Sequence, residues 1–264
     1  MSTRTTEPAG IASGVSCGIA VMAKASLPGK TKTRLVPPLS FEEAAAFNTA
    51  FLQDVAANIA AAGREAAVGC YMAYGPPGSD DFFARTLPAS VGLIEAWHPN
   101  FGDCLFAAID QVLARGHGSA VVLNSDSPTL PTALLVECAR ELARPGDRVV
   151  LGPSSDGGYY LLGVKARHRR LFEDVAWSTE RVAAQTLARA AELSLDVHVL
   201  ETWYDVDDRS SLHTLHGELI EGRAYSPRHT PHAAPHTCDL LDALLARSDF
   251  ARRLGAAAIR RAVG

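Results

Sequence analysis

No Cys-x-x-Cys pair occurs anywhere in the 264 residues, and the five cysteines, at 17, 70, 104, 138 and 238, form neither a disulfide framework nor a zinc-binding spacing. They read as reduced, mostly buried thiols of a cytoplasmic protein. No uninterrupted apolar stretch reaches the roughly 18 residues that a membrane span needs. The first 14 residues lack a signal-peptide core, so 1–16 is expected to be a frayed tail. A basic excess is also missing, because 25 Lys and Arg stand against 29 Asp and Glu, a net charge of −4. Binding to nucleic acid or an acidic membrane surface calls for the opposite balance. There is no repeat of fixed period.

Several catalytic signatures are absent too. Gly152-Pro-Ser-Ser-Asp156 has aspartate where a nucleophile elbow closes with glycine. There is no His-Glu-x-x-His. Gly29-Lys30-Thr31 supplies the tail of a P-loop, but Lys24 stands where its first glycine belongs. These gaps argue against a serine hydrolase, a zinc enzyme and a P-loop nucleotidase.

What is present is a core-forming composition, 47% hydrophobic and 20% charged, with its positive charge concentrated locally. Lys24-Ala-Ser-Leu-Pro-Gly-Lys-Thr-Lys-Thr-Arg-Leu35 follows the apolar run 17–23 and precedes a helix start at Ser40-Phe-Glu-Glu43. Cations and free turn amides after a strand attract phosphate, although a run of charge is often only a solvated face. Helical spacing is expected over 42–62, 80–85, 101–116, 131–143, 180–192 and 209–221. Strands are expected at 66–74, 91–95, 119–124, 147–152, 159–164 and 196–200. This alternation predicts an α/β fold, a mostly parallel sheet with helices on both faces, whose ligands sit beyond the carboxyl ends of the strands.

Asp126, at the end of an apolar strand and before Ser127-Pro128, has the placement of a ligand for a hard divalent ion; capping the helix near Pro131 is the alternative. Asp205 and Asp207 share one face of an extended segment and repel unless a cation lies between them. Asp207 or Asp208 would cap the helix that follows. In Ser154-Ser-Asp-Gly-Gly158, Asp156 is placed as a base or hydroxyl ligand and Gly157 and Gly158 allow close backbone approach, while Asp-Gly alone also signals a plain turn. Trp177 fits a core or a substrate platform, and Thr179 a helix cap. The stretch 223–237, with Pro227, Pro231, Pro235 and His229, His232, His236, reads as a linker, and 238–264 as an amphipathic helix or helix pair that docks on the body or on a second subunit.

Taken in order, the Lys24–Leu35 loop, Ser125-Asp-Ser-Pro128, Gly152-Pro-Ser-Ser-Asp-Gly-Gly-Tyr-Tyr160, Trp177-Ser-Thr179 and Asp205-Val-Asp207 resemble the DUF2064 group of GT-A-like transferases. That group lies near the molybdenum-cofactor and phospholactate nucleotidyltransferases. The resemblance spans about 18–221 and implies a nucleotide-diphospho-sugar transferase domain over 17–222. It implies nucleotide phosphates held by Lys24, Gly29, Lys32, Thr33, Arg34, Ser125, Gly157 and Gly158, with Lys24, Asp126 and Asp156 catalytic. Asp126, Asp205 and Asp207 would hold Mg²⁺ or Mn²⁺. The 102–106 stretch departs from the Gly-x-Leu-Gly-Glu-Arg-like pattern of the group, on the acceptor side. Glycosyl transfer from a nucleotide-sugar to a small acceptor is the expected reaction, nucleotidyl transfer from a triphosphate to a phosphorylated acceptor the alternative, and nucleotide binding without chemistry a third. Neither nucleic acid nor a membrane span is expected; a homodimer is compatible with the amphipathic tail.

Overall fold

The computed structural model describes residues 16–255. Its centre is a seven-stranded sheet ordered β3-β2-β1-β4-β6-β5-β7. The strands are β1 (Cys17–Ala23), β2 (Val68–Tyr74), β3 (Gly92–Glu95), β4 (Ser119–Leu123), β5 (Arg148–Pro153), β6 (Tyr159–Val164) and β7 (Asp196–Val199). All run parallel except β6, which pairs antiparallel with both β4 and β5. The turn at 154–158 is too short for a crossover, so it can only return the chain alongside β5 in the opposite direction.

Side-chain alternation assigns the two faces of β1. Ile19 and Val21 pack with α1 (Phe41–Ala62), α4 (Thr132–Ala143) and α6 (Arg209–Leu219), whereas Ala20 packs with α3 (Phe101–Ala114) and α5 (Val182–Glu192). α1 begins with a capping box: Ser40 Oγ accepts the Glu43 N–H and the Glu43 carboxylate accepts the Ser40 N–H at 2.8 Å. A short α2 (Asp80–Thr86) precedes β3. Thr179 stands just ahead of the helix rather than at its N-cap: its hydroxyl accepts the Arg181 N–H at 3.3 Å and donates to Ala176 O at 2.7 Å, Ser178 turns left-handed (φ 63°), and the helix starts at Val182.

The Pro- and His-rich stretch lies against the body. His232 N–H donates to Thr129 O at 3.0 Å, and Ala234 is fully buried. Pro235 opens α7 (Pro235–Leu245) at the first helical position, where a missing N–H costs nothing. α7 and α8 (Ser248–Leu254) form the expected helix pair and pack on the α1 side. The anticipated tail at 1–15 and the residues 256–264 fall outside the described residues.

Candidate functional site

The chain leaves β1 to build β2 and β3 on one side, while β4 flanks β1 on the other. Strand order therefore reverses at β1/β4, where a crevice opens beyond the carboxyl ends of the strands. A cavity of about 430 Å³ occupies it, within the range of roughly 300 to 1,000 Å³ usual for small-molecule sites. Beyond β1 and β4 the wall is polar, with Lys24, the 30–34 loop, Ser125, Asp126 and Asp207; beyond β2 and β3 it carries Tyr74, Trp97 and Phe101.

The basic loop is held by backbone hydrogen bonds and by the side chains of Thr31 and Asn48. Leu27 O accepts the N–H groups of Lys30 and Thr31, at 3.0 and 3.2 Å. Asn48 Nδ2 donates to Lys24 O at 3.1 Å, and Thr33–Leu35 forms one 3-10 turn. Lys24, Lys30 and Arg34 are exposed. Lys32 points inward instead, its side chain 5% exposed. Its ammonium lies 2.8 Å from Asp126 Oδ1, 3.0 Å from Asp207 Oδ1 and 2.8 Å from Val206 O. Arg34 approaches the other Asp207 oxygen at 3.5 Å.

Two hydrogen bonds, one of them from a side chain, bring these distant carboxylates together. Val206 N–H donates to Asp126 O at 2.8 Å, and Ser127 Oγ donates to Tyr204 O at 2.8 Å, zipping the end of β4 to the 204–207 segment. Burial pushes the Asp126 carboxyl up, but the Lys32 charge and hydrogen bond outweigh it and hold the group below its usual value. Asp207 moves the other way, raised by burial and by Asp126 against the pull of Lys32. One ammonium thus serves two carboxylates. Asp126 caps no helix: α4 starts at Thr132, behind Pro131.

Asp205 does not join them. Its Oδ1 accepts from Ser154 Oγ at 3.0 Å. Burial, with the charges of Asp156 and Asp207, lifts its carboxyl to about 6. Asp208 is the N-cap of α6, accepting the Ser211 N–H at 2.8 Å. Of the three aspartates expected around an ion, only Asp126 and Asp207 converge, and they do so on the Lys32 ammonium. Among the described residues no group of three or more His, Cys, Asp or Glu gathers to hold a metal.

Gly29, Asp156, Gly157 and Gly158 do not line the cavity either. Asp156 Oδ1 accepts the Gly158 N–H at 2.9 Å, closing a turn. Gly157 sits at φ 89°, where a Cβ would meet Glu180 O at 2.2 Å. Its lack of a side chain makes room for Glu180 rather than for a phosphate. At 102–106, Gly102 N–H donates to the Asn100 cap, Cys104 and Leu105 line the cavity, and Asp103 pairs with Arg169 at 2.7 Å.

The aromatic wall was not anticipated. Trp97 and Phe101 are 49% and 51% exposed at the cavity mouth. Trp97 lies over Gly75, where a Cβ would stand 2.6 Å from its ring. Trp177 packs edge-on behind Phe101, with centroids 5.5 Å apart, and is not itself part of the lining. The sequence signal was a tryptophan and a phenylalanine flanking the helix cap Asn100, just past a short strand.

This is the fold of the nucleotide-diphospho-sugar transferases. A candidate nucleotide-diphospho-sugar transferase of Desulfovibrio desulfuricans G20 superposes with a TM-score of 0.74 at 24% identity, over 90% of this chain and 97% of that one. A 4-diphosphocytidyl-2C-methyl-D-erythritol synthase shares the fold more remotely, with a TM-score of 0.50 at 10% identity over 76% of this chain and 96% of its own. No curated protein sequence matches the chain. Residues 58–179 match the model of a family described as uncharacterized proteins conserved in bacteria, DUF2064, the same family that the ordered motifs resemble.

Proposed function

We propose that the protein is a transferase acting on a nucleotide substrate, and that its reaction is glycosyl transfer from a nucleotide-diphospho-sugar to a small-molecule acceptor. The observation that carries this reading is the cavity at the β1/β4 switch, with cations and the Asp126–Asp207 pair on one wall and Trp97 and Phe101 on the other. Phosphates match the first wall in charge, and a ring system matches the second.

Both carboxylates converge on a single cation, the Lys32 ammonium. Oxygen donors aimed at one point fit Mg²⁺ or Mn²⁺, with phosphate oxygens and water as the remaining ligands. Such an ion, when bound, supplies charge stabilisation to a leaving nucleoside diphosphate. Lys24, Lys30 and Arg34 neutralise the phosphates and orient them. The acceptor oxygen bonds to the anomeric carbon as the bond from that carbon to the diphosphate breaks. The acceptor's proton passes to Asp156 or Asp205, which stand outside the cavity lining, by way of one water. Asp205, lifted to about 6 and bonded to Ser154 through Oδ1 alone, suits that role near neutral pH.

One observation favours nucleotidyl transfer as a second reading. The loop presents three exposed cations besides Lys32, more than a diphosphate needs. In that reaction a phosphorylated acceptor attacks the α-phosphate and pyrophosphate leaves. Thermal-shift measurements with Mg²⁺ or Mn²⁺ against nucleotide-sugars and nucleoside triphosphates separate the two. A ligand at 100 times its dissociation constant adds about 2.7 kcal/mol of stability. Stabilisation by nucleotide-sugars, followed by release of nucleoside diphosphate on adding acceptor, is the expected result. Stabilisation by triphosphates alone would replace glycosyl with nucleotidyl transfer, and indifference to every nucleotide would remove both.

A further inference from the structure

Lys32 differs from the other cations of its loop in its burial and in the number of its partners. Lys24, Lys30 and Arg34 are exposed, as groups that meet a diffusing phosphate should be. The Lys32 ammonium is buried, and its three N–H bonds match three acceptors: Asp126 Oδ1, Asp207 Oδ1 and Val206 O. It also lies 5.3 Å from the centroid of the Phe51 ring, so one side is closed by an aromatic face. An ion bridging the pair through these two facing oxygens would stand where the ammonium stands. Two cations that close repel, and more strongly in a part-buried site than in bulk water.

The backbone of Lys32 is unusual as well. It is left-handed, with φ 52° and ψ 35°. A residue with a Cβ adopts that conformation at a cost, and does so where its surroundings hold it there. The buried Thr31 ties the loop just before it, its hydroxyl accepting the Leu27 N–H at 3.3 Å and donating to Leu27 O at 3.2 Å, and a single 3-10 turn follows. The inward ammonium is the second anchor, the one that holds Lys32 itself.

We propose that Lys32 is a resident counter-ion that the divalent cation displaces, so that loading of the Asp126–Asp207 pair is coupled to release of the Lys32 side chain into the cavity. This rests on the reading of those two aspartates as ion ligands. In the ion-free protein the ammonium keeps two facing carboxylates neutralised and the 204–207 segment joined to the loop. On ion entry the ammonium leaves, the left-handed turn is free to relax, and the loop gains a further cation at the moment when phosphates need one. Lys32 is thus a positioning residue whose departure prepares the site.

The test reads Mn²⁺ binding and lysine reactivity rather than turnover. In the wild-type protein, an amine-acylating reagent followed by peptide mapping should modify Lys24 and Lys30 readily and Lys32 slowly. Saturating Mn²⁺ should raise Lys32 toward the level of the other two. In Lys32→Gln, the dissociation constant for Mn²⁺, measured by electron paramagnetic resonance, should fall on the order of tenfold or more, since a competing positive charge has been removed. Lys32→Arg should keep the weak wild-type affinity. A role confined to structure would lower the stability of Lys32→Gln without tightening Mn²⁺.

Mn²⁺ that binds both proteins equally while Lys32 stays shielded would overturn the displacement and leave the ion reading intact. Mn²⁺ binding that weakens in Lys32→Gln would also overturn it, by making Lys32 a support for the ligands. Absence of Mn²⁺ binding in wild type and both variants would remove the ion reading and the displacement together.

Discussion

Asp54 is a fully buried acid and Asp126 a part-buried one, and their surroundings satisfy them by opposite means. Asp54, in the middle of α1, is fully buried and accepts the N–H groups of His236 and Thr237, at 3.0 and 2.8 Å, and the Thr237 hydroxyl at 2.6 Å. Those donors are the free end of α7, where backbone N–H groups have no partner within the helix and the dipole favours a negative charge. Asp126 relies on a lysine ammonium at the end of a flexible chain, shared with Asp207. Backbone donors fixed in a helix cannot leave, so Asp54 is permanent architecture that ties α7 to α1. A side-chain cation can be exchanged for another cation, so Asp126 remains available to a ligand.

Substitution of Asp54 should break this contrast most forcefully. Asp54→Ala leaves three buried donors unpaired and should cost about 3 to 5 kcal/mol by the measure of broken buried charge interactions. For a chain of this size that lowers the melting midpoint by roughly 10 °C, as read in a thermal or urea unfolding curve. Asp126→Asn should do the reverse. Lys32 keeps Asp207 and Val206 O as partners, so stability should change by less than about 1 kcal/mol. Turnover should fall by about 100-fold or more, as when one transition-state charge contact is removed. Full activity in Asp126→Asn would remove that residue from the chemistry, and an unfolding midpoint unmoved by Asp54→Ala would deny Asp54 its fastening role.

The contrast also marks what could be read from sequence. Apolar runs, turn residues and helical spacing placed the strands and most of the helices to within a few residues, because local pattern governs them. The polar wall was legible for a similar reason: strand ends in an α/β sheet converge, so Lys24–Arg34, Asp126 and Asp207 could be assigned to one edge. The pairing of Lys32 with Asp207 spans 175 residues and depends on a left-handed turn that no local signal announces. Gly157 misled because a glycine that admits a neighbouring backbone reads like one that admits a phosphate. Asp54 passed unnoticed because its donors arrive from α7, 182 residues later. Trp97 and Phe101 belong to no periodic pattern, since their exposure is set by the cavity beneath them.

A second fastening of the C-terminal pair gives a smaller, pH-dependent effect. Arg253 in α8 holds both Glu43 carboxylate oxygens, at 2.8 and 2.9 Å. The Arg253 hydrogen bond is the main reason that Glu43 lies below its usual value of 4.5, against the upward push of burial and with help from the Ser40 N–H. The group is more acidic folded than unfolded. Its contribution is therefore complete above the unfolded value and disappears as pH falls through the folded one. Arg253→Ala should lose about 1 to 2 kcal/mol at pH 7, and the gap to wild type should narrow steadily below pH 4.5. Urea unfolding at neutral and acidic pH measures it; a gap independent of pH would mean that the arginine acts through packing alone.

The smallest effect isolates aim from proximity. Asp207 and Asp208 are consecutive, yet Asp207 faces Lys32 while the Asp208 carboxylate turns to the first turn of α6 and accepts the Ser211 N–H at 2.8 Å. Asp208 belongs with Asp54, satisfied by donors that do not move, although it adjoins the site. Asp208→Ala should cost about 1 kcal/mol of stability, the usual worth of an N-cap, and leave nucleotide-dependent thermal shifts and turnover as they are. Asp207→Ala should instead abolish the response to Mn²⁺ with little loss of fold, since Lys32 retains Asp126. If both substitutions reduced nucleotide response alike, charge near the loop rather than the direction of each carboxylate would govern the site. The distinction between fixed and exchangeable partners would then fail where the two kinds of acid stand side by side.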